Sequence, residues 1–281
     1  MPKRSLPPIR RAVHHVRGAL TAPEKWLYAG GVLSPAGLAL PSFLGIGAQK
    51  SATTWLFHNL VCHPDLFLPS RKEVHYFDWW FHETLRSYAR RFEPGRGKIC
   101  GEVTPAYAVL QPERIRFIRT IMPDLRMIFL MRNPIDRAWS HALMDLVWRP
   151  GRRFEDVPAE QFYRHFERSG PRARGDYGAC IDRWLAEYPA DRLYLGYFED
   201  VISRPQWLLT EILQFLGTRT DVDWSAFPLR EPKGKHGSIK LPPEYRARLE
   251  ELYGAQIEAL YHRLGEPVKG WRVDENQAKL R

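Results

Sequence analysis

Residues 43–55, FLGIGAQKSATTW, constrain the fold of this chain more than any other segment. The apolar residues at its start predict a short buried strand, and the glycines among them allow close approach of the backbone. The helix predicted to follow begins with one ammonium group and three hydroxyls, between Lys50 and Thr54. Because the free N–H groups at a helix N-terminus favour an anion, the segment predicts a site for the phosphate of a nucleotide.

The loop in this segment differs from the Walker A motif of ATP- and GTP-binding proteins. That motif places a glycine directly before its lysine, whereas Gln49 precedes Lys50 here, and Ala52 stands where a last loop glycine would be expected. Binding of ATP or GTP is therefore less favoured. The structural alternative is a Gly-rich strand end followed by an ordinary helix that is capped by Ser51 or Thr53.

Residues 126–144, RMIFLMRNPIDRAWSHALM, predict a second strand, which is followed by charged residues and by the start of a helix. Arg132 is expected at the carboxyl end of this strand, where open α/β sheets bind ligands. Pro134 predicts the first turn of a helix, and Ser140 follows within two turns. A guanidinium and a hydroxyl suit a second phosphate. The alternative is a helix start that is merely capped by charges, with Asp136 in its first turn.

Taken together, the two segments resemble the phosphate-binding elements of sulfotransferases that use 3′-phosphoadenosine 5′-phosphosulfate (PAPS). Their order, their spacing of roughly 80 residues and their strand-loop-helix context all agree with that family. The resemblance implies a P-loop-like fold and PAPS as cosubstrate. No metal is expected, because Lys50, Arg132 and the helix N-termini can offset the charge of the nucleotide. The resemblance also implies that the donor is bound by Gln49, Lys50, Ser51, Ala52, Thr53, Thr54, Arg132 and Ser140.

Between these elements, residues 71–78, RKEVHYFD, are similar to a segment of the heparan sulfate type of carbohydrate sulfotransferase. The resemblance implies that Glu73 removes the proton of the acceptor and that His75 lines the same site. The chemistry of imidazole keeps His75 open as an alternative base. Lys50 is expected to donate to the bridging oxygen of the phosphosulfate as charge develops there. In the structural alternative, Glu73 forms an ion pair with a neighbouring cation, and His75 is a partly buried packing residue.

Two later segments extend the resemblance. Residues 101–107, GEVTPAY, are similar to a family strand and loop, and residues 231–238 are similar to a loop that closes over the nucleotide through Lys233, Gly234 and Lys235. Heparan-type enzymes often carry lysine where this chain has Val103, and further polar residues where it has Trp55. We therefore expect a less cationic acceptor pocket than a highly sulfated polysaccharide would need.

The alternation of predicted elements indicates a single α/β domain, with a central parallel sheet and helices on both faces. Strands are predicted at about 43–48, 98–103, 126–131 and 193–198, and helices at about 52–62, 112–121, 134–148, 177–188, 205–216 and 243–264. We expect a basic N-terminal extension at 1–40, the sulfotransferase domain at 41–265 and a C-terminal tail at 266–281.

The formal net charge of +10 favours anionic partners. Nucleic acid is not expected, because acidic residues interrupt the basic ones along most of the chain. The three cysteines lack the paired spacing of a zinc site, which indicates a reducing compartment and a cytoplasmic protein. A peripheral contact with the inner face of a membrane is an alternative, through the basic N-terminal arm or through Trp26, Leu27, Tyr28, Val32 and Leu33.

These observations predict transfer of a sulfuryl group from PAPS to a hydroxyl of a carbohydrate or glycolipid, with release of adenosine 3′,5′-bisphosphate. The aromatic run Tyr76, Phe77, Trp79, Trp80 and Phe81 offers rings for stacking on a sugar. Sulfation of a small-molecule or polyketide alcohol is the competing hypothesis. Less favoured are a P-loop kinase, which would need Mg²⁺, and an anion or nucleic-acid binder without catalysis. The oligomeric state is not predicted.

Overall fold

The computed structural model describes residues 23–230 and 239–272. Its centre is a sheet of five strands in the order β2-β3-β1-β4-β5, and each neighbouring pair is parallel. The strands are β1 (Phe43–Gly47), β2 (Leu66–Phe67), β3 (Ile99–Val103), β4 (Arg126–Met131) and β5 (Leu193–Tyr197). The predicted parallel α/β fold is therefore confirmed.

Helices connect the strands and cover the sheet. Residues 23–29 form helix α1. The others are α2 (Thr53–Val61), α3 (Leu85–Ala89), α4 (Pro112–Ile121), α5 (Pro134–Leu143), α6 (Ala159–Glu167), α7 (Ser169–Ala173), α8 (Tyr177–Leu185), α9 (Phe198–Ser203), α10 (Pro205–Leu216) and α11 (Pro243–Leu264). A π-helical turn, Met144–Trp148, continues α5. The longer predicted helices are all present. Strand β2 and the helices of five to seven residues were not predicted, because they are too short to show a period, and the amphipathic helix α6 was also missed.

Helices on both faces leave the central strand without contact to water. All five residues of β1 are buried, as expected for a strand in a parallel sheet that is covered on both sides. Gly45 allows this packing, since a Cβ there would lie 2.9 Å from the methyl groups of Val103 on β3. Two apolar cores result, one containing Leu44 and the other containing Phe43.

Segments on both sides of residues 41–265 pack against the domain. In α1, Lys25 is buried and donates to the carbonyl oxygen of Glu83 at 2.6 Å. After α11, residues expected in a tail pack on the domain, because Val268 and Trp271 are buried in the first core. No helix in residues 23–230 and 239–272 is long and apolar enough to cross a membrane.

Candidate active site

The loop between β1 and α2 leaves the start of the helix open. Lys50 and Ala52 both have positive φ values, 72° and 61°, which for an alanine costs about 1 kcal/mol. Ala52 is the N-cap of α2 and no side chain caps the helix, so neither Ser51 nor Thr53 plays the capping role of the structural alternative. Backbone N–H groups at this helix start are therefore available to an anion.

The side chains of the loop differ in exposure. Ser51 and Thr53 are buried, whereas Thr54 is exposed. The Oε1 atom of Gln49 is buried and has no hydrogen-bond partner among the described residues. Since a buried amide oxygen without a donor is costly, the loop is better satisfied when a ligand or water occupies it.

Lys50 lies in a cluster of charges that comes from several elements. Burial lowers the pKa of its ammonium group, and the positive charges of Arg132 and Arg149 lower it further. Asp145 opposes this effect, while Lys72 adds to it. Because β1 and β4 are adjacent parallel strands, their carboxyl ends lie at one edge of the sheet and bring Lys50 and Arg132 together.

The backbone of Arg132 is held by Tyr177 on α8. The Tyr177 hydroxyl donates to the Arg132 carbonyl oxygen at 2.8 Å, and the guanidinium lies 4.5 Å from the centre of the Phe198 ring. Asn133 caps α5 by accepting from the Ile135 N–H at 2.9 Å. Ser140 is half-buried on the same helix.

Glu73, His75 and Asp78 form a chain of hydrogen bonds. The His75 ring donates through Nε2 to a Glu73 oxygen at 2.9 Å, and through Nδ1 to an Asp78 oxygen at 2.8 Å. Burial alone would lower the pKa of His75, but the two carboxylates raise it to about 9. Burial alone would raise the pKa of Glu73, but His75 and Lys72 hold it below its ordinary value. At neutral pH the His75 ring is therefore charged, and Glu73 beside it is ionised.

Lys72 connects this chain to the loop after β1. Its Nζ atom lies 3.2 Å from a Glu73 oxygen and 3.5 Å from the Thr53 hydroxyl in the first turn of α2. Thr104 also anchors the segment that contains Glu73, because its hydroxyl accepts from the Val74 N–H at 3.0 Å. The three sequence segments singled out above therefore meet in one region.

Comparison with known proteins agrees with this geometry. The family model described as a sulfotransferase domain matches residues 41–232. The chain belongs to the sulfotransferase family. A structure of a sulfotransferase from Alicyclobacillus acidocaldarius superposes with a TM-score of 0.67 and 25% identity, over 84% of this chain and all of that one.

Curated sulfotransferases are similar in sequence as well. Membrane-associated sulfotransferase kil1 of Dictyostelium discoideum is 32% identical over 132 residues, which cover 46% of this chain and 27% of the relative. Heparan sulfate glucosamine 3-O-sulfotransferase 3B1 of Mus musculus is 28% identical over 205 residues, with 69% and 50% covered. The chain thus spans no more than half the length of these two relatives.

Sequence reasoning missed the buried carboxylate that holds this sulfotransferase site together. Glu102 on β3 accepts from the Thr104 hydroxyl at 2.7 Å, from Tyr88 at 2.7 Å and from Tyr107 at 3.1 Å. Burial raises the pKa of Glu102, and its three donors oppose the rise. The signal that could have found it is a glutamate inside an otherwise buried strand.

A second missed carboxylate, Asp145, lies in the π-helical turn. It accepts from Arg149 at 2.8 Å, and the Nε2 atoms of His141 and His165 lie 3.4 and 3.2 Å from its other oxygen. The three residues could be considered as metal ligands, since their ligand atoms lie within 4.8 Å of one another. However, the Nδ1 atoms of both histidines are buried without a partner among the described residues, whereas metal-bound histidines usually donate through their second nitrogen. The geometry fits a hydrogen-bonded carboxylate better.

Some expectations about the acceptor pocket are wrong. Trp55 and Val103 are both buried in the second core, where Trp55 donates to the Leu229 carbonyl oxygen, so neither residue sets the charge of a pocket. Tyr76 and Phe77 are fully buried core residues and are not available for stacking on a sugar. Because all the aromatic residues of this segment lie in one apolar run, the sequence does not show which of them are buried.

Trp79 is the well-exposed member of the aromatic run, with 58% of its surface accessible, and its indole stacks on the His75 ring at 3.7 Å. Trp80 and Phe81 are half-buried. Lys233, Gly234 and Lys235, which were expected to close over the nucleotide, lie outside the described residues.

Proposed function

We propose that this chain transfers the sulfuryl group of PAPS to a hydroxyl of a carbohydrate or glycolipid and releases adenosine 3′,5′-bisphosphate. The observation that carries the proposal is that Lys50 lies close to Arg132 and to Lys72. Lys72 in turn forms an ion pair with Glu73. This proximity supports a single site in which the cations bind the donor and Glu73 acts as the base. The names of the heparan sulfate relatives support a carbohydrate acceptor.

The donor would bind at the edge of the sheet where β1 and β4 end. The 5′-phosphosulfate fits the open N-terminus of α2, with Lys50 beside it, and the 3′-phosphate fits Arg132, with Ser140 on α5. Together, Lys50, Lys72, Arg132 and Arg149 offset the charge of such a ligand. We infer that the reaction needs no metal, because these cations supply the stabilisation a metal would otherwise give.

In the proposed reaction, the acceptor oxygen forms a bond to sulfur while the bond from sulfur to the bridging phosphate oxygen breaks. Glu73 takes the proton of the acceptor hydroxyl, because its lowered pKa keeps it ionised at neutral pH. His75 is charged under the same conditions and has no lone pair for the proton, so it orients Glu73. Lys50 donates to the bridging oxygen, and its lowered pKa makes it a better acid there.

Peripheral contact with an anionic membrane is a separate proposal for the surface around α1. Trp26, Leu27, Val32 and Leu33 are exposed there, whereas Tyr28 is buried. The Val32 N–H donates to the Leu27 carbonyl oxygen at 2.9 Å, which folds these side chains into one turn. A neighbouring cavity of about 540 Å³ is lined by Arg86, Arg90, Arg96 and Glu93; Glu93 pairs with Arg96, which leaves Arg86 and Arg90 for an anionic headgroup.

Vesicle co-sedimentation tests the membrane proposal. The wild type should sediment with phosphatidylglycerol vesicles and not with phosphatidylcholine vesicles, and the double variant W26S/V32S should lose most of this binding. A matched control is Ile202→Ser, which removes an exposed apolar side chain elsewhere. Equal binding by the wild type and W26S/V32S would contradict the proposal.

Calorimetric titration with adenosine 3′,5′-bisphosphate tests the donor site. The wild type should bind it, and Arg132→Ala should bind it roughly 10- to 100-fold more weakly, because a charged hydrogen-bonding partner is lost. Arg164→Ala, which removes an exposed arginine on α6, is the matched control. Preference for Mg-ATP would favour a kinase and would overturn the proposal.

Catalysis is tested with Glu73→Gln. This variant should bind adenosine 3′,5′-bisphosphate normally and should transfer sulfuryl groups roughly 100-fold more slowly or worse, since loss of a general base has an effect of that order. Full activity in Glu73→Gln would eliminate Glu73 as the base. Binding without turnover in the wild type, over a panel of carbohydrate acceptors, would favour a non-catalytic anion binder.

A further inference from the structure

A cavity of about 280 Å³ adjoins the hydrogen-bonded chain of Glu73, His75 and Asp78. Asp78 and Trp79 form one side of it, and Arg114 and Arg174 supply its positive charge. Asp78 accepts from His75, whose other ring nitrogen bonds to Glu73. One imidazole ring therefore separates the proposed base from this cavity, which places the cavity where a neighbouring part of an acceptor would lie.

The two arginines have hydrogen-bonding capacity that the protein does not use. Neither forms an ion pair with any residue that the structure describes, and the Nη1 atom of Arg114 and the Nε atom of Arg174 are buried without a partner there. Arg174 donates through Nη1 to the Gly170 carbonyl oxygen, and Arg114 lies 3.3 Å from the centre of the Phe81 ring. Because neither guanidinium has an ion-pair partner among the described residues and both line the cavity, their charges are left for an acceptor that enters it.

The charge in the cavity is also unbalanced. Burial lowers the pKa of both arginines, which nevertheless remain charged at neutral pH. Asp78 is near both of them, but its charge is already paired with the His75 imidazolium at 2.8 Å. Around Arg174, Arg137 adds positive charge, and Asp145 is paired with Arg149. The cavity is therefore positive overall, and its walls range from buried to exposed residues, so it favours an anion.

We propose that Arg114 and Arg174 form a subsite for an anionic group, a carboxylate or a sulfate, on the sugar next to the one that receives the sulfuryl group. This inference rests on the proposed function and narrows its acceptor to an acidic glycan. Trp79 adds an exposed indole at the cavity wall on which a sugar ring can stack. The subsite replaces the expectation of a weakly cationic pocket, which depended on two residues that lie in the core.

Calorimetry with three tetrasaccharides tests the subsite without requiring turnover. The probes are an N-acetylglucosamine-glucuronate tetrasaccharide, the same compound with its carboxylates reduced to alcohols, and the reduced compound with N-sulfates in place of its N-acetyl groups. The wild type, saturated with adenosine 3′,5′-bisphosphate, should bind at least one anionic probe about 10-fold or more tightly than the neutral one. The probe that binds identifies the anionic group as carboxylate or sulfate.

The double variant R114Q/R174Q should lose this preference and bind all three probes equally weakly. R114K/R174K keeps the charges and should retain part of the preference, which separates a lost charge from a damaged fold. Arg172→Gln removes an exposed arginine on α7 and should behave like the wild type. A wild type that does not distinguish the probes, or a preference that survives in R114Q/R174Q, would overturn the inference.

The same titrations without nucleotide separate this inference from the proposed function. A chain that fails to bind adenosine 3′,5′-bisphosphate yet distinguishes the tetrasaccharides would refute the donor site and support the subsite. A chain that binds the nucleotide but does not distinguish the tetrasaccharides would refute the subsite alone.

Discussion

Replacement of His75 by Gln should remove a pH-dependent part of the folding stability. The pKa of the buried His75 ring is about 9 in the folded protein, against an ordinary value of 6.5. Since one pKa unit corresponds to about 1.4 kcal/mol, the charged ring contributes about 3 kcal/mol. Because the pKa is raised in the folded state, this contribution is complete below about pH 6.5 and is lost as the pH rises through about 9.

Urea unfolding of the wild type and of His75→Gln, between about pH 6 and pH 10, measures this contribution. The difference in unfolding free energy between the two proteins should fall by about 3 kcal/mol across that range. Taking the difference cancels the titration of the nine other histidines and of the lysines and tyrosines. A difference that stays constant with pH would refute the reasoning, because it would mean that Glu73 and Asp78 do not hold the ring in its charged form.

Three further substitutions test the site and the sheet. Lys50→Ala should lower kcat by roughly 100- to 1000-fold in a sulfuryl-transfer assay, and an unchanged kcat would exclude Lys50 as the acid at the bridging oxygen. Glu102→Ala should lower the unfolding free energy by about 3 kcal/mol, because three buried hydroxyls lose their acceptor, and Glu102→Gln should cost less in the same urea titration. Gly101→Ala should destabilise by about 1–3 kcal/mol, since its Cβ would overlap the Phe43 ring, whereas Gly254→Ala in α11, with open space around it, should stabilise by about 0.5–1 kcal/mol.

Much of the fold could be predicted because the local signals were strong. The apolar run predicts β4, and the proline predicts the start of α5. Both are local signals, which depend only on neighbouring residues. Strand β2 was missed because it has only two residues, which show no alternation. The packing of Val268 and Trp271 was missed for a different reason, since a short 3₁₀ segment is stabilised by contacts with distant residues.

The sequence by itself was enough to predict an anion-binding character for the loop from Gln49 to Thr54, because glycines, a lysine and a helix start act over a few neighbouring residues. It could not determine that His75 is charged, because that depends on burial and on two carboxylates held around the ring. Nor could it show that Arg114 on α4 and Arg174 in the turn after α7 line one cavity. Charge state and cavity lining depend on distances between residues that are far apart in the chain, and only tertiary packing sets those distances.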